Sequence, residues 1–340
     1  MSTLAARPSK PVAAVVGAGS WGTALAMQLA RVGCEVRLWG RDPEHVAAMA
    51  QERQNSRYLA DIPLPEKLTP CADLAQCVSG ARLVLVATPS HSFADTIAKI
   101  RPHMDAAPGL CWASKGFEPG SGRFLHEVAQ DLFGEDYPLA VATGPSFARE
   151  VAEDLPTAVV AASTDHEYAR LVAEALHGGN FRAYISDDII GAELGGAAKN
   201  VLAIGTGVCD GMGLGLNARA ALITRGLAEM TRLALALGGR QETLMGLSGM
   251  GDLVLTCTGD LSRNRRFGLA LGKGLSIQQA LDDIGQVVEG TKAAREVVRL
   301  GRQADVEMPI AEHVSAVLEG TISPAEGVKR LMSRDLKREA

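Results

Sequence analysis

Residues 13–26, AAVVGAGSWGTALA, set an apolar, β-prone run directly before Gly17-x-Gly19-x-x-Gly22 and an Ala-rich helical pattern directly after it. That order suits a strand turning sharply into a helix. Gly17 serves the tight turn, Gly19 leaves bare backbone for a pyrophosphate, and Gly22 lets the helix pack closely on the strand. The helix start then offers free N–H groups and its positive dipole end to phosphate. In a chain of 37 glycines the spacing alone says little. The strand before it, the helix after it and a second strand at Glu35 to Trp39 make it a dinucleotide fingerprint, for a nicotinamide or flavin cofactor.

From residue 12 to about 185, short β-branched runs alternate with helical patterns: VAAVVG, EVRLWG, RLVLVAT, LCWASK, LAVATG and TAVVAAS, with FRAYIS expected at the far edge of the sheet. This is the βαβ rhythm of a parallel sheet. Beyond Ser186-Asp187-Asp188, which can cap a helix, β-type runs vanish. Helices are expected from about Ile189 to Val208 and from Asn217 to Leu237. The reading is therefore an α/β N-terminal Rossmann-type doubly wound sheet at residues 12–187, an all-α C-terminal domain at 188–340, and a loose tail at 1–11.

The formal charge of −5 offers no basic face, which argues against nucleic acid and requires any anionic ligand to be held by locally focused cations. The six cysteines show no C-x-x-C spacing, and the scattered histidines suggest no metal site. Reduced thiols in a cytoplasmic setting follow as the expectation. Residues 1–10 lack the apolar core of a signal peptide. The apolar-rich stretch Ile189 to Leu216 carries Glu193, Lys199 and Asp210, so it reads as a buried helix and not a membrane span.

Several residues could carry chemistry. Arg41-Asp42 lies about 22 residues beyond the fingerprint, where an acid reads the ribose 2′-hydroxyl of NAD and an arginine the 2′-phosphate of NADP. Arg41 fits that position best, which tilts the reading toward NADP(H) without excluding NAD(H). Ser20 and Trp21 occupy the phosphate loop itself, Trp21 either against a ligand or in simple packing. Lys115 and the segment Thr143-Gly144-Pro145-Ser146-Phe147-Ala148 each follow an apolar strand. Lys199 lies in GAELGGAAKNVLAIG, where interior glycines, costing roughly 1 kcal/mol each, suggest a packing or ligand requirement. Desolvation and a second cation such as Lys115 would lower its pKa toward a value useful for acid–base work. Asp252, expected on a flexible Gly249-Met250-Gly251 turn, could orient an ammonium. Ser262-Arg263-Asn264 reads as an N-cap with an anion cradle. Val287, Glu289 and Gly290-Thr291-Lys292 are expected in a loop.

Taken in order, GAGSWGTALA, ATPSHSF, SKGFE, GPSFARE, GAAKN, GLSGMGDLVLTCTGDLSRNRRFG and EGTKAA make the chain resemble the bacterial-type NAD(P)-dependent glycerol-3-phosphate dehydrogenases, over residues 12 to about 330. The resemblance implies reversible interconversion of dihydroxyacetone phosphate and sn-glycerol 3-phosphate, supplying phospholipid synthesis in the cytoplasm. It implies cofactor contacts at Ser20, Trp21, Arg41, Lys115, Ala148, Arg263, Val287 and Glu289. Substrate contacts are implied at Lys115, Gly144, Ser146, Asp252, Ser262, Arg263 and Asn264, with Lys199 as proton acceptor in oxidation. A homodimer stays open. The alternatives are another dehydrogenase of similar architecture, of the β-hydroxyacid or ketopantoate reductase type, or a nucleotide sensor without catalysis. A carboxylate substrate would not need the Ser262-Arg263-Asn264 cradle, and a sensor would not need Lys199.

Overall fold

The computed structural model describes residues 11–105 and 108–335, so the expected tail falls, up to residue 10, outside the described residues. Two compact units form. The first holds the chain up to Ser114, His126–Ala142 and Ser146–Asp187; the second holds Lys115–Leu125, Thr143–Pro145 and the chain from Asp188 onward.

In the first unit the strands are β1 (Val12–Val16), β2 (Glu35–Trp39), β3 (Gln54–Asn55), β4 (Leu59–Pro63), β5 (Leu68–Cys71), β6 (Leu83–Val86), β7 (Leu110–Trp112), β8 (Leu139–Thr143), β9 (Thr157–Ala162) and β10 (Phe181–Ser186). Eight of them make one sheet in the order β10-β9-β8-β7-β6-β1-β2-β5. The strands on either side of β1 pair with it in parallel, β2 on one flank and β6 on the other. Strand order therefore reverses at β1, and the crevice outside its carboxyl end, where Gly17 begins the turn, is where such sheets bind ligands. β10 closes one edge, as the FRAYIS run suggests. The other edge, β5, and the antiparallel hairpin of β3 and β4 have no counterpart in the sequence reading. β5 contains Pro70, which an edge strand tolerates because one side of its ladder is unpaired.

The second unit is helical among its described residues. Its axis is the helix Ile189–Gly211, buried along nearly its whole length and three residues longer than the sequence suggests. The Asp188 carboxylate caps it by accepting from the Gly191 N–H at 2.8 Å. The second long helix, Gly215–Ala236, begins two residues earlier than expected. Helix Arg263–Gly272 packs on Ile189–Gly211 backbone to backbone: a Cβ on Gly207 would collide with the Arg265 carbonyl, and one on Gly268 with the Ile204 carbonyl. Only glycine permits that approach. Asp210 ties the same pair, its Oδ2 accepting from Arg265 Nε at 2.9 Å while its Oδ1 takes Arg219 Nε at 2.8 Å. No helix among the described residues is long and apolar enough to cross a membrane.

Candidate active site

The fingerprint folds as a cradle. Gly17 sits at φ 124°, a region that L side chains rarely adopt, and a Cβ there would come within 2.9 Å of the Ala87 carbonyl oxygen. A Cβ on Gly22 would strike the Gly17 carbonyl, whereas Gly19 faces open space. Helix Ser20–Arg31 starts at Gly19 with no side chain capping its first turn, so its N–H groups suit an anion. Trp21 packs against the core of this unit, yet its buried indole Nε1 has no partner. An orphaned donor beside an uncapped helix start and a bare glycine fits a dinucleotide. Ser20 Oγ donates to the Tyr58 carbonyl at 3.3 Å. Arg41 is exposed, and Asp42 caps helix Pro43–Glu52 by accepting from the Glu44 and His45 N–H groups. Ser146 is half-buried, as is Ala148, which begins helix Ala148–Ala152.

In the second unit, Lys199 lies mid-helix and is only 5% exposed. Its ammonium donates to Asp252 Oδ1 and, at 2.9 Å, to Thr256 Oγ1. The other carboxylate oxygen accepts from Lys115 Nζ at 2.7 Å, and that ammonium also reaches the Gly144 carbonyl at 3.3 Å. Two lysines far apart in sequence thus meet on one carboxylate: two cations and one anion, a surplus of positive charge. Burial is the main influence on Lys199, lowering its pKa from the ordinary lysine value to about 7; Asp252 pulls it back up and Lys115 pushes it down.

Asp252 itself differs from expectation. It does not ride a flexible turn: it is 1% exposed and opens helix Asp252–Thr258, directly after a π-helical segment, Leu247–Gly251. Such segments often occur where a side chain must be re-aimed at a functional site. The clustered glycines of the Lys199 helix have their cause here, since a Cβ on Gly195 would run into the Ser248 carbonyl of this segment.

Ser262 caps helix Arg263–Gly272, its Oγ accepting from the Arg265 N–H at 3.2 Å. Asn264 is buried, donating to Asn200 Oδ1 at 2.9 Å and accepting from the Gly290 N–H at 2.9 Å. Arg263 presents exposed surface and donates to Gln286 Oε1 at 3.1 Å; desolvation by the protein around its guanidinium lowers its pKa from the ordinary arginine value, and Glu289 acts in the opposite direction. Val287 is 39% exposed. Glu289 departs from the expected loop and begins helix Glu289–Gln303, whose start is drawn in by the Asn264–Gly290 bond.

Sequence reasoning missed Thr256 and Asn200, which contact Lys199 and Asn264. The signal was present: Thr256 lies one helical turn after Asp252, and its hydroxyl donates back to the Asp252 carbonyl at 2.6 Å. Thr143, which opens the segment singled out after the apolar strand but was given no role of its own, has a buried hydroxyl without a partner among the described residues. The place that a Cβ on Gly196 would occupy is 3.1 Å from that hydroxyl and 3.6 Å from Lys115 Cγ.

Residues 12–169 match the family described as NAD-dependent glycerol-3-phosphate dehydrogenase N-terminus, and residues 188–329 its C-terminus. A Stenotrophomonas maltophilia (strain K279a) protein named glycerol-3-phosphate dehydrogenase (NAD(P)+) is 60% identical over 326 residues, 96% of each chain. A protein of the same name from Xanthomonas campestris pv. campestris (strain B100) is 58% identical over the same span, 96% of each chain. The solved glycerol-3-phosphate dehydrogenase of Coxiella burnetii superposes with a TM-score of 0.92 at 48% identity, covering 96% of this chain and all of that one. The chain belongs to the NAD-dependent glycerol-3-phosphate dehydrogenase family.

Proposed function

We propose that this chain catalyses the reversible NAD(P)H-dependent reduction of dihydroxyacetone phosphate to sn-glycerol 3-phosphate, an oxidoreductase activity serving glycerophospholipid synthesis. The observation that carries the reading is Lys199, paired with Asp252 in a buried ion pair, on a helix packed glycine to glycine against the helix headed by Ser262-Arg263-Asn264. One rigid helix pair thereby holds both a proton-transferring ammonium and an anion cradle.

The nicotinamide, when bound, supplies or accepts the hydride. In reduction, the Lys199 ammonium gives its proton to the oxygen that becomes the C2 hydroxyl. In oxidation the neutral amine takes that proton back, and a pKa of about 7 makes both forms available near neutrality. Asp252 and Thr256 orient Lys199 Nζ, while Lys115 adds the second positive charge that a dianionic substrate calls for. Ser262, Arg263 and Asn264 receive the phosphate, remote from the reacting carbon, so binding energy there positions the carbonyl. Gly144 and Ser146 are the further substrate contacts of this reading. Gly17, Gly19, Ser20, Trp21, Gly22, Arg41, Lys115, Ala148, Arg263, Val287 and Glu289 are its cofactor contacts.

A cytoplasmic setting and a homodimer belong to the same reading. The six cysteines carry no disulfide-framework spacing in the sequence, which is what supports reading a reducing compartment. Light scattering at twice the chain mass would bear out the dimer. The direct test of function is NADPH oxidation with dihydroxyacetone phosphate, ketopantoate and unphosphorylated dihydroxyacetone in parallel. Turnover with the phosphate alone is the expected result; ketopantoate as the better substrate would overturn the reading.

A further inference from the structure

The hairpin of β3 and β4, absent from the sequence reading, brings a second arginine, Arg57, to Asp42, the neighbour of Arg41 in the chain. Asp42, which follows β2 and could in principle accept the ribose hydroxyls of NADH, has both carboxylate oxygens engaged. Its Oδ1 accepts from the Glu44 and His45 N–H groups at 3.1 and 3.3 Å, and its Oδ2 pairs with Arg57 Nη1 at 3.3 Å. Arg41, next to it in the chain, makes no hydrogen bond or ion pair among the described residues. Arg57 spends one donor on Asp42 and stands over the Tyr58 ring at 5.4 Å, leaving most of its fork available.

The turn carrying Arg57 is fixed in place. Asn55, fully buried, donates to the Ala18 carbonyl at 3.1 Å and to Thr23 Oγ1 at 2.8 Å, both in the phosphate-loop segment. Asn55 Oδ1 meets His45 Nε2 at 2.9 Å, and Ser20 Oγ reaches the Tyr58 carbonyl. The hairpin is thus pinned on one side to the loop that takes the pyrophosphate and on the other to the helix that Asp42 caps.

Resting on the cofactor reading above, we propose that Arg57 is the second arm of a 2′-phosphate clamp with Arg41, and that the pair makes this chain prefer NADP(H) to NAD(H). Arg57 pairs with a carboxylate that is already used as a helix cap and that follows Arg41 directly in the chain. A dianionic phosphate at Arg41 and Arg57 replaces an exposed ion pair of the kind that contributes little on its own. NADH, lacking the phosphate, leaves Arg57 on its exposed pair with Asp42 and draws no binding from it.

The experiment is calorimetric titration of the whole protein with 2′,5′-ADP and 5′-AMP, alongside fluorescence titration with NADPH and NADH. Arg57→Ala should weaken 2′,5′-ADP and NADPH by about tenfold, the usual worth of a charge-assisted hydrogen bond, and leave 5′-AMP and NADH within about twofold. Arg57→Lys should recover part of the loss, keeping charge without the fork. Asp42→Asn keeps a good helix cap and should leave NADH binding unchanged. Equal losses for both cofactors, no loss for NADPH, or selective loss of NADH in Asp42→Asn would each overturn the proposal. A wild-type protein that binds neither cofactor would instead overturn the reading on which it rests.

Discussion

Asp252 and Lys199 form a buried ion pair whose carboxylate belongs to the first turn of a helix starting where a π-helical segment ends. The same carboxylate holds Lys115, so one acid serves two ammonium groups. Removing it would strand two cations in a desolvated site, the costly case for buried charge. Asp252→Asn should therefore lower turnover by about a hundredfold and move the pH midpoint assigned to Lys199 downward by about one unit or more, since Asp252 is the neighbour that raises it. Wild-type pH profiles in the folded variant would sink this role.

The pH dependence of the two directions should be opposite. Reduction uses the ammonium, so its kcat should fall as pH rises through about 7; oxidation uses the free amine, so its kcat should rise through the same value. Steady-state profiles at saturating substrate in both directions check this. Two profiles that rise and fall together would point to a group other than Lys199.

Arg263 heads the helix that is packed on the Lys199 helix, and its loss should cost recognition of the dianion. Arg263→Ala should reduce kcat/KM for dihydroxyacetone phosphate by at least about a hundredfold, on the order of 3 kcal/mol. Unphosphorylated dihydroxyacetone, a poor substrate for both proteins, should hardly notice the change. Equal losses for both substrates would assign the arginine to the cofactor or the fold instead.

Glu229 offers a test of stability away from chemistry. It is 2% exposed in helix Gly215–Ala236 and accepts from the Ile310 and Ala311 N–H groups at 2.9 and 3.4 Å, at the start of helix Pro309–Leu318. Burial raises its pKa from 4.5 to about 7. Between those values the folded chain binds more protons than the unfolded chain, so the contribution of Glu229 to stability is full below about 4.5 and is lost as pH rises to about 7. Glu229→Gln keeps one acceptor and should flatten that slope, worth roughly 3 kcal/mol across the window. Denaturant unfolding at pH 5 and pH 7.5 reads the difference; an unchanged slope would assign the pH dependence elsewhere.

Legibility from sequence followed locality. The fingerprint, the strands around β1 and the cap at Asp188 are written in neighbouring residues, and all three emerged from spacing and residue type. β3 is two residues long and β5 carries Pro70, so neither leaves a periodic trace. Lys199 drew attention through its glycine-rich surroundings, but what those glycines touch, the Ser248 carbonyl at Gly195, depends on a segment some fifty residues away. For the same reason Asp252 looked like a loop residue: Gly249 and Gly251 signal a turn, and only the packed structure turns them into a π-helical lead-in to a buried acid.

The central claim is that Lys199 transfers the substrate proton, and the most direct measurement is single-turnover oxidation of bound NADPH by dihydroxyacetone phosphate in wild type and Lys199→Ala. The chemical step in the variant should slow by about 10² to 10⁴, the range of general acid–base catalysis, with NADPH affinity nearly unchanged. A folded Lys199→Ala protein that reduces the substrate at close to the wild-type rate would contradict the account.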